Sequence, residues 1–155
     1  MGAEMLQEQV DGALVGDRPV LMPPGTYRVR FDDWDTVNYF NRQPKVVCRF
    51  TVCTEGEWFG AKLERWYNVK ALTGKPRSRG RFKVAWGQDL AREYLPLVSG
   101  SPRRDGIALS KLKPLLLDAE IETVTCDRKQ RALDPVLHYS VIRSIRLSRD
   151  VAQPI

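Results

Sequence analysis

Four residues with a common spacing carry the most chemistry in this sequence. Trp58, Lys62, Trp66 and Lys70 recur at intervals of four, and in an extended strand they share one face. Indole rings interleaved with ammonium groups suit a ligand with flat apolar parts and negative charge. Base stacking on an aromatic contributes roughly 1–3 kcal/mol per base, and lysines between the rings can meet phosphates. The alternative is that the rings pack under a neighbouring loop.

A second set is purely electrostatic. Residues 65–88 hold seven basic side chains and no acid, with Lys75, Arg77, Arg79 and Arg81 alternating with small residues. Residues 128–149 hold six basic residues and one acid, and Arg128, Lys129 and Arg131 crowd one turn. Clusters of this kind attract polyanions or serve as solvated faces. A third set, Trp34, Tyr39, Phe40 and Arg42, mixes aromatic and cationic groups that suit unpaired bases. Asp32, Asp33 and Asp35 beside them would repel phosphate unless paired with Arg28, Arg30 or Arg42.

Catalytic and cofactor signatures are weak. Gly74-Lys75-Pro76 lacks the Ser/Thr of a phosphate-binding loop. The three aspartates have no motif that fixes a metal geometry. His138 is the single histidine, and Cys48, Cys53 and Cys126 form no Cys-x-x-Cys pair. The expectation is a non-catalytic protein without a cofactor in a reducing cytoplasm. No apolar run reaches the ~20 residues of a membrane span.

The elements that must position these residues read as follows. The 155 residues, with net charge +6, suit one domain over 20–149, an N-terminal arm over 1–19 and a tail over 150–155. Met22-Pro-Pro-Gly25 is a turn into a strand over 26–31, with Tyr27, Val29 and Phe31 inward. A long connection over 32–45 leads to a second strand over 45–54. A third strand spans 57–70, with Phe59, Ala61, Leu63, Tyr67 and Val69 inward and Arg65 as the exception. A flexible basic loop over 73–83 precedes a helix at 88–98. Strands over 115–127 and 136–147 close the chain, the last with Leu137, Tyr139, Val141, Ile145 and Leu147 inward. This order, three strands, a helix and two strands, predicts a mainly β, OB-fold-like five-stranded Greek-key barrel with its helix between strands 3 and 4.

A family resemblance rests on Met22-Pro-Pro-Gly-Thr-Tyr-Arg-Val-Arg30, Val46–Val52, Glu55-Gly-Glu-Trp-Phe-Gly60 and the pair Tyr67-Asn68. These stretches resemble the opening three strands of phage- and mobile-element-type OB-fold single-stranded DNA-binding proteins. The resemblance implies sequence-tolerant binding of single-stranded DNA during replication, recombination or transfer, and RNA is the alternative nucleic acid. It also implies a replication or recombination protein partner and leaves self-association open. The chain departs from the family in lacking an acidic C-terminal tail, since 149–155 holds one acid. The alternative reading is a protein-protein interaction module that uses the same exposed aromatic and basic face, with the basic loop docking an acidic partner.

Overall fold

The computed structural model describes residues 9–10, 13–14, 19–39, 43–98 and 107–148. Two short strands, β1 (Gln9–Val10) and β2 (Ala13–Leu14), pair with each other within the expected arm; apart from these and Pro19, that arm and the tail lie outside the described residues. The main sheet has five antiparallel strands: β3 (Gly25–Tyr39), β4 (Gln43–Val52), β5 (Lys62–Asn68), β8 (Leu117–Val124) and β9 (Tyr139–Leu147), in the order β5-β4-β3-β8-β9. A separate two-stranded sheet pairs β6 (Ala71–Thr73) with β7 (Arg81–Lys83). One helix, α1 (Asp89–Leu97), follows.

The expected barrel is corrected by this topology. The edge strands β5 and β9 approach each other, but no hydrogen-bonded ladder joins them among the described residues. The result is a mixed β/α domain built on an open sheet. Strand order along the chain is a local property; closure depends on tilt and shear between strands far apart in sequence, which no short pattern encodes.

β3 is much longer than the alternating stretch 26–31. It runs on through the acidic segment that reads as a connection, and only residues 40–42 separate it from β4. The ladder is unbroken from Asp33↔Arg49 to Tyr39↔Gln43, with a bulge between Phe31 and Asp33. Asp32 is the extra residue, and the inward set passes from Val29 and Phe31 to Trp34 and Thr36. Aspartate is a poor strand former, but β4 supplies cations opposite.

The core lies on one face of the sheet. Val29, Phe31, Val46, Cys48, Phe50, Val52, Leu63 and Tyr67 meet Ala119, Ile121, Ile142 and Ile145. Helix α1 covers this core with Leu90, Tyr94 and Leu97, at helical spacing. Arg65 points into the same side because Glu93 on α1 receives it at 2.6 Å. The guanidinium also lies 4.4 Å from the centre of the Tyr67 ring. Tyr67 donates its hydroxyl to Glu93 at 2.5 Å. Burial opposes the Arg65 charge, but the hydrogen bond to Glu93 and the neighbouring groups outweigh it and hold its pKa above the ordinary value.

Two phases differ from the sequence pattern. In β9 the buried set is Ser140 and Ile142, then Ile145, because a bulge shifts the register between Glu120 and Ile121 of the neighbouring strand. Residues 54–60 form a turn rather than the start of the third strand, and Gly60 takes a positive φ of 88° to end it. Phe59 is therefore 65 % exposed.

Candidate interaction face

Opposite the core, β3, β4 and β5 present a face that can be mapped from the register. Trp66 stands beside Val47, and Val47 beside Asp35. The isolated bridge Asp35↔Ser78 extends this row to the basic loop. At ~4.8 Å per strand the row spans about 14 Å. The flanking rows place Glu64 beside Arg49 and Asp33 on one side, and Asn68 beside Lys45 and Val37 on the other. Val47 is only 4 % exposed and Trp66 is 39 % exposed, so a large ring sits beside a covered valine in the centre of a polar surface.

The charges on this face neutralise one another. Arg49 binds Asp35 at 2.5 Å and Asp33 at 3.3 Å. The Asp35 hydrogen bond lifts its pKa above the ordinary arginine value, against a smaller effect of burial. Lys62 donates to Thr51 at 2.6 Å and lies 3.7 Å from Asp32, which also accepts from Thr51 at 2.6 Å. Trp66 donates its indole N–H to Glu64 at 3.0 Å, and Lys45 donates to Asn68 at 2.8 Å. The aspartates thus pair with Arg49 and Lys62. Among the described residues no three His, Cys, Asp or Glu side chains gather as metal ligands.

The basic loop is not a loose tether. It lies against the outer edge of β3, where Thr36 donates its N–H to the Arg77 carbonyl at 2.9 Å and Arg79 donates to the Trp34 carbonyl at 2.8 Å. The Trp34 indole donates to the Gly80 carbonyl at 2.9 Å. Arg79 adopts φ 55°, a left-handed conformation tolerated here because the backbone is held on both sides. Lys70, Lys75, Arg77, Arg79, Arg81 and Lys83 are all exposed. Among the described residues none of the six has a carboxylate partner, in contrast to the paired cations of the face.

The predicted residues are therefore divided. Lys62 and Trp66 share the face, Lys70 follows at the end of β5, and Lys75, Arg77, Arg79 and Arg81 form a cationic rim beyond β3. Trp58 does not join Trp66; it is half-buried and packs against the core from the turn before β5. Tyr39 ends β3; its side chain, Phe40 and Arg42 lie outside the described residues. Arg128 and Lys129 are exposed at a separate hairpin, where Arg131 is taken up by Asp127 at 3.0 Å. Backbone N–H groups of Arg131 and Lys129 hold the Asp127 carboxyl below the usual range.

Sequence reasoning missed Val47, Arg49 and Glu64. The parity of β4 opposite β5 carries the signal for the first two, once the register is known. A groove of about 810 Å³ borders the face and adds Val20, Tyr139 and Val141 to Trp66 and Lys62. No family model matches the sequence, and no curated protein or solved structure matches it either.

These findings correct the resemblance to OB-fold single-stranded DNA-binding proteins and the function it implied. The matched stretches are turn and strand beginnings that an open antiparallel sheet shares with a barrel. The first ligand loop expected of the barrel is absent, since β3 and β4 form a tight hairpin. The tryptophan pair is split. The strand face carries its own counter-charges, which removes the attraction for a phosphate chain there. An aromatic centre ringed by exposed ion pairs fits a protein-binding face better. The same correction removes the roles in replication, recombination and mobile-element biology. No helix among the described residues is long and apolar enough to cross a membrane.

Proposed function

We propose that this chain is a non-catalytic protein-interaction module whose β3–β4–β5 face docks a partner protein through Trp66, with an acidic segment of that partner meeting the cationic rim. The observation that supports this most is the register row from Trp66 across Val47 and Asp35 to Ser78. It joins an exposed aromatic anchor to the backbone of the cationic loop in one row across the sheet. Interfaces concentrate energy in central aromatic anchors surrounded by polar contacts that exclude water. Here the ring of ion pairs around Trp66 supplies that surround, and the rim supplies attraction and orientation for an acidic partner.

The experiment compares binding of an aspartate-rich peptide with binding of a single-stranded oligonucleotide of equal charge, by calorimetry at two salt concentrations. The peptide is expected to bind more tightly. Trp66→Ala should weaken it about tenfold or more, the loss typical of an anchor. Replacing Lys75, Arg77, Arg79 and Arg81 with serine should remove most of the salt dependence. Tighter binding of the oligonucleotide, or no effect of Trp66→Ala, would overturn the proposal.

A further inference from the structure

The groove beside Trp66 makes the docking face concave. One wall is the outward side of β5, with Lys62 and Trp66. The other is Val20 together with Tyr139 and Val141 of β9. The edge strands β5 and β9 approach each other without a ladder, and the groove of about 810 Å³ follows their seam. Its far wall is fixed. Ser140 donates its N–H to the Val20 carbonyl at 2.8 Å. The Ser140 hydroxyl accepts from the Met22 N–H at 2.9 Å and donates to the Met22 carbonyl at 3.2 Å. A groove with preset walls needs little ordering on binding. Its volume lies in the range of ligand sites, roughly 300–1,000 Å³.

The polar groups that line it are already engaged. Arg49 holds Asp33 and Asp35, and Lys62 bonds Thr51 and lies beside Asp32. Lys45 donates to Asn68, and Glu64 accepts the Trp66 indole N–H. The surface left for a ligand is apolar: the Trp66 and Tyr139 rings on opposite walls, with Val20 and Val141. Glu64 has no ion-pair partner among the described residues, and it repels a carboxylate placed beside it. Acidic groups are favoured instead at the 75–81 loop, where Lys75, Arg77, Arg79 and Arg81 are exposed. Ser78, between Arg77 and Arg79, ends the row that starts at Trp66, about 14 Å away at ~4.8 Å per strand. An extended chain at ~3.3 Å per residue covers that distance in about four residues.

We infer that the docking segment of the partner carries an aromatic side chain that enters this groove between Trp66 and Tyr139, and an acidic run that begins about four residues from it. This rests on the interaction reading above and specifies the segment. An aromatic side chain fits because ring pairs contribute beyond the area they bury. Anchors of this kind fill well-packed pockets within an interface. The separation follows from the chemistry of the face: the groove is apolar and bordered by Glu64, and the cationic loop lies beyond β3. β9 thereby becomes part of the interface, although it lies across the seam from β5.

The probes are the synthetic peptide Trp-Gly-Ser-Gly-Ser-Asp-Asp-Asp-Asp and its reverse, since the geometry serves either chain direction. One control replaces Trp with Ala. A second, Gly-Ser-Gly-Ser-Trp-Asp-Asp-Asp-Asp with its reverse, keeps the composition and removes the spacing. Each is titrated into the full chain by calorimetry. The spaced peptide, in its better direction, is expected to bind about tenfold more tightly than either control. Tyr139→Ala acts on the β9 wall and should remove most of the advantage of the Trp peptide over the Ala peptide. Amide shifts at Tyr139 and Val141, followed by NMR in the unaltered chain, give the same reading without a variant. Equal affinity of the Trp and Ala peptides, or no shift at Tyr139 and Val141, overturns the aromatic insertion and leaves the interaction reading standing. Equal affinity of the spaced and contiguous peptides overturns the separation. Failure of every acidic peptide to bind overturns the interaction reading as well.

Discussion

Gly80→Ala tests whether the cationic rim is fixed to β3. A Cβ at position 80 would sit 2.2 Å from Thr36 Oγ1, and 3.1 Å from Thr36 Cγ2 and Arg77 Cγ. Thr36 is 2 % exposed, so its hydroxyl has little room to turn away. That hydroxyl accepts from the Arg77 N–H at 3.0 Å and donates to the Arg77 carbonyl at 3.1 Å. Losing the two bonds costs about 2 kcal/mol, and residual overpacking raises the total to about 2–4 kcal/mol. The control is Gly87→Ala, where a Cβ meets nothing within 4 Å and the change should lie within about 1 kcal/mol of neutral. Urea unfolding gives both values by linear extrapolation. The decisive step is a double-mutant cycle with Thr36→Ala, which removes both offending Thr36 atoms. In that background the cost of Gly80→Ala should fall by about 2 kcal/mol. Equal costs in the two backgrounds would refute the claim that Thr36 and Gly80 lock the loop.

Three further outcomes are expected. Arg65→Leu leaves Glu93, whose side chain is 15 % exposed, without its cation, and should cost about 2–3 kcal/mol by urea unfolding; a loss below about 1 kcal/mol would contradict the assigned pair. Burial raises the Cys48 thiol above its ordinary 9.0 and Tyr67 above its ordinary 10.0. The folded chain therefore keeps protons that the unfolded chain releases, and stability should be full below pH 9 and fall as pH rises beyond it; a stability curve flat from pH 8 to about 11 would contradict this. The same burial should leave Cys48 unmodified by a thiol reagent at about pH 8 until the chain unfolds, and prompt labelling of three thiols in the folded protein would show that the β4 core face is open.

Much of the local structure is legible in the sequence, and the tertiary arrangement is not. Thr26–Phe31, Val46–Val52 and Leu63–Val69 show their inward residues by alternation, and Leu90, Tyr94 and Leu97 mark α1 by helical spacing. The acidic stretch Asp32–Asp35 reads as a loop because its counter-charges, Arg49 and Lys62, lie on other strands and are found only through the register. Trp58 reads as a neighbour of Trp66 under strict alternation, which fails at Gly60, where the chain turns. The basic segment reads as flexible because nothing local reveals that Thr36 and Trp34 hold its backbone. The candidate face is half visible. Lys62, Trp66 and the rim cations stand out by type and spacing, while Val47 and Arg49 join them only when β4 is placed beside β5.

The most direct test of the interaction face is a two-dimensional NMR amide map of the full chain titrated with the aspartate-rich peptide. Shifts are expected to concentrate on Lys62–Asn68, Val47 and residues 75–83, and to disappear in Trp66→Ala. Shifts confined to the Arg128–Arg131 hairpin, or no shifts at low salt where attraction to the cationic rim is strongest, would contradict it.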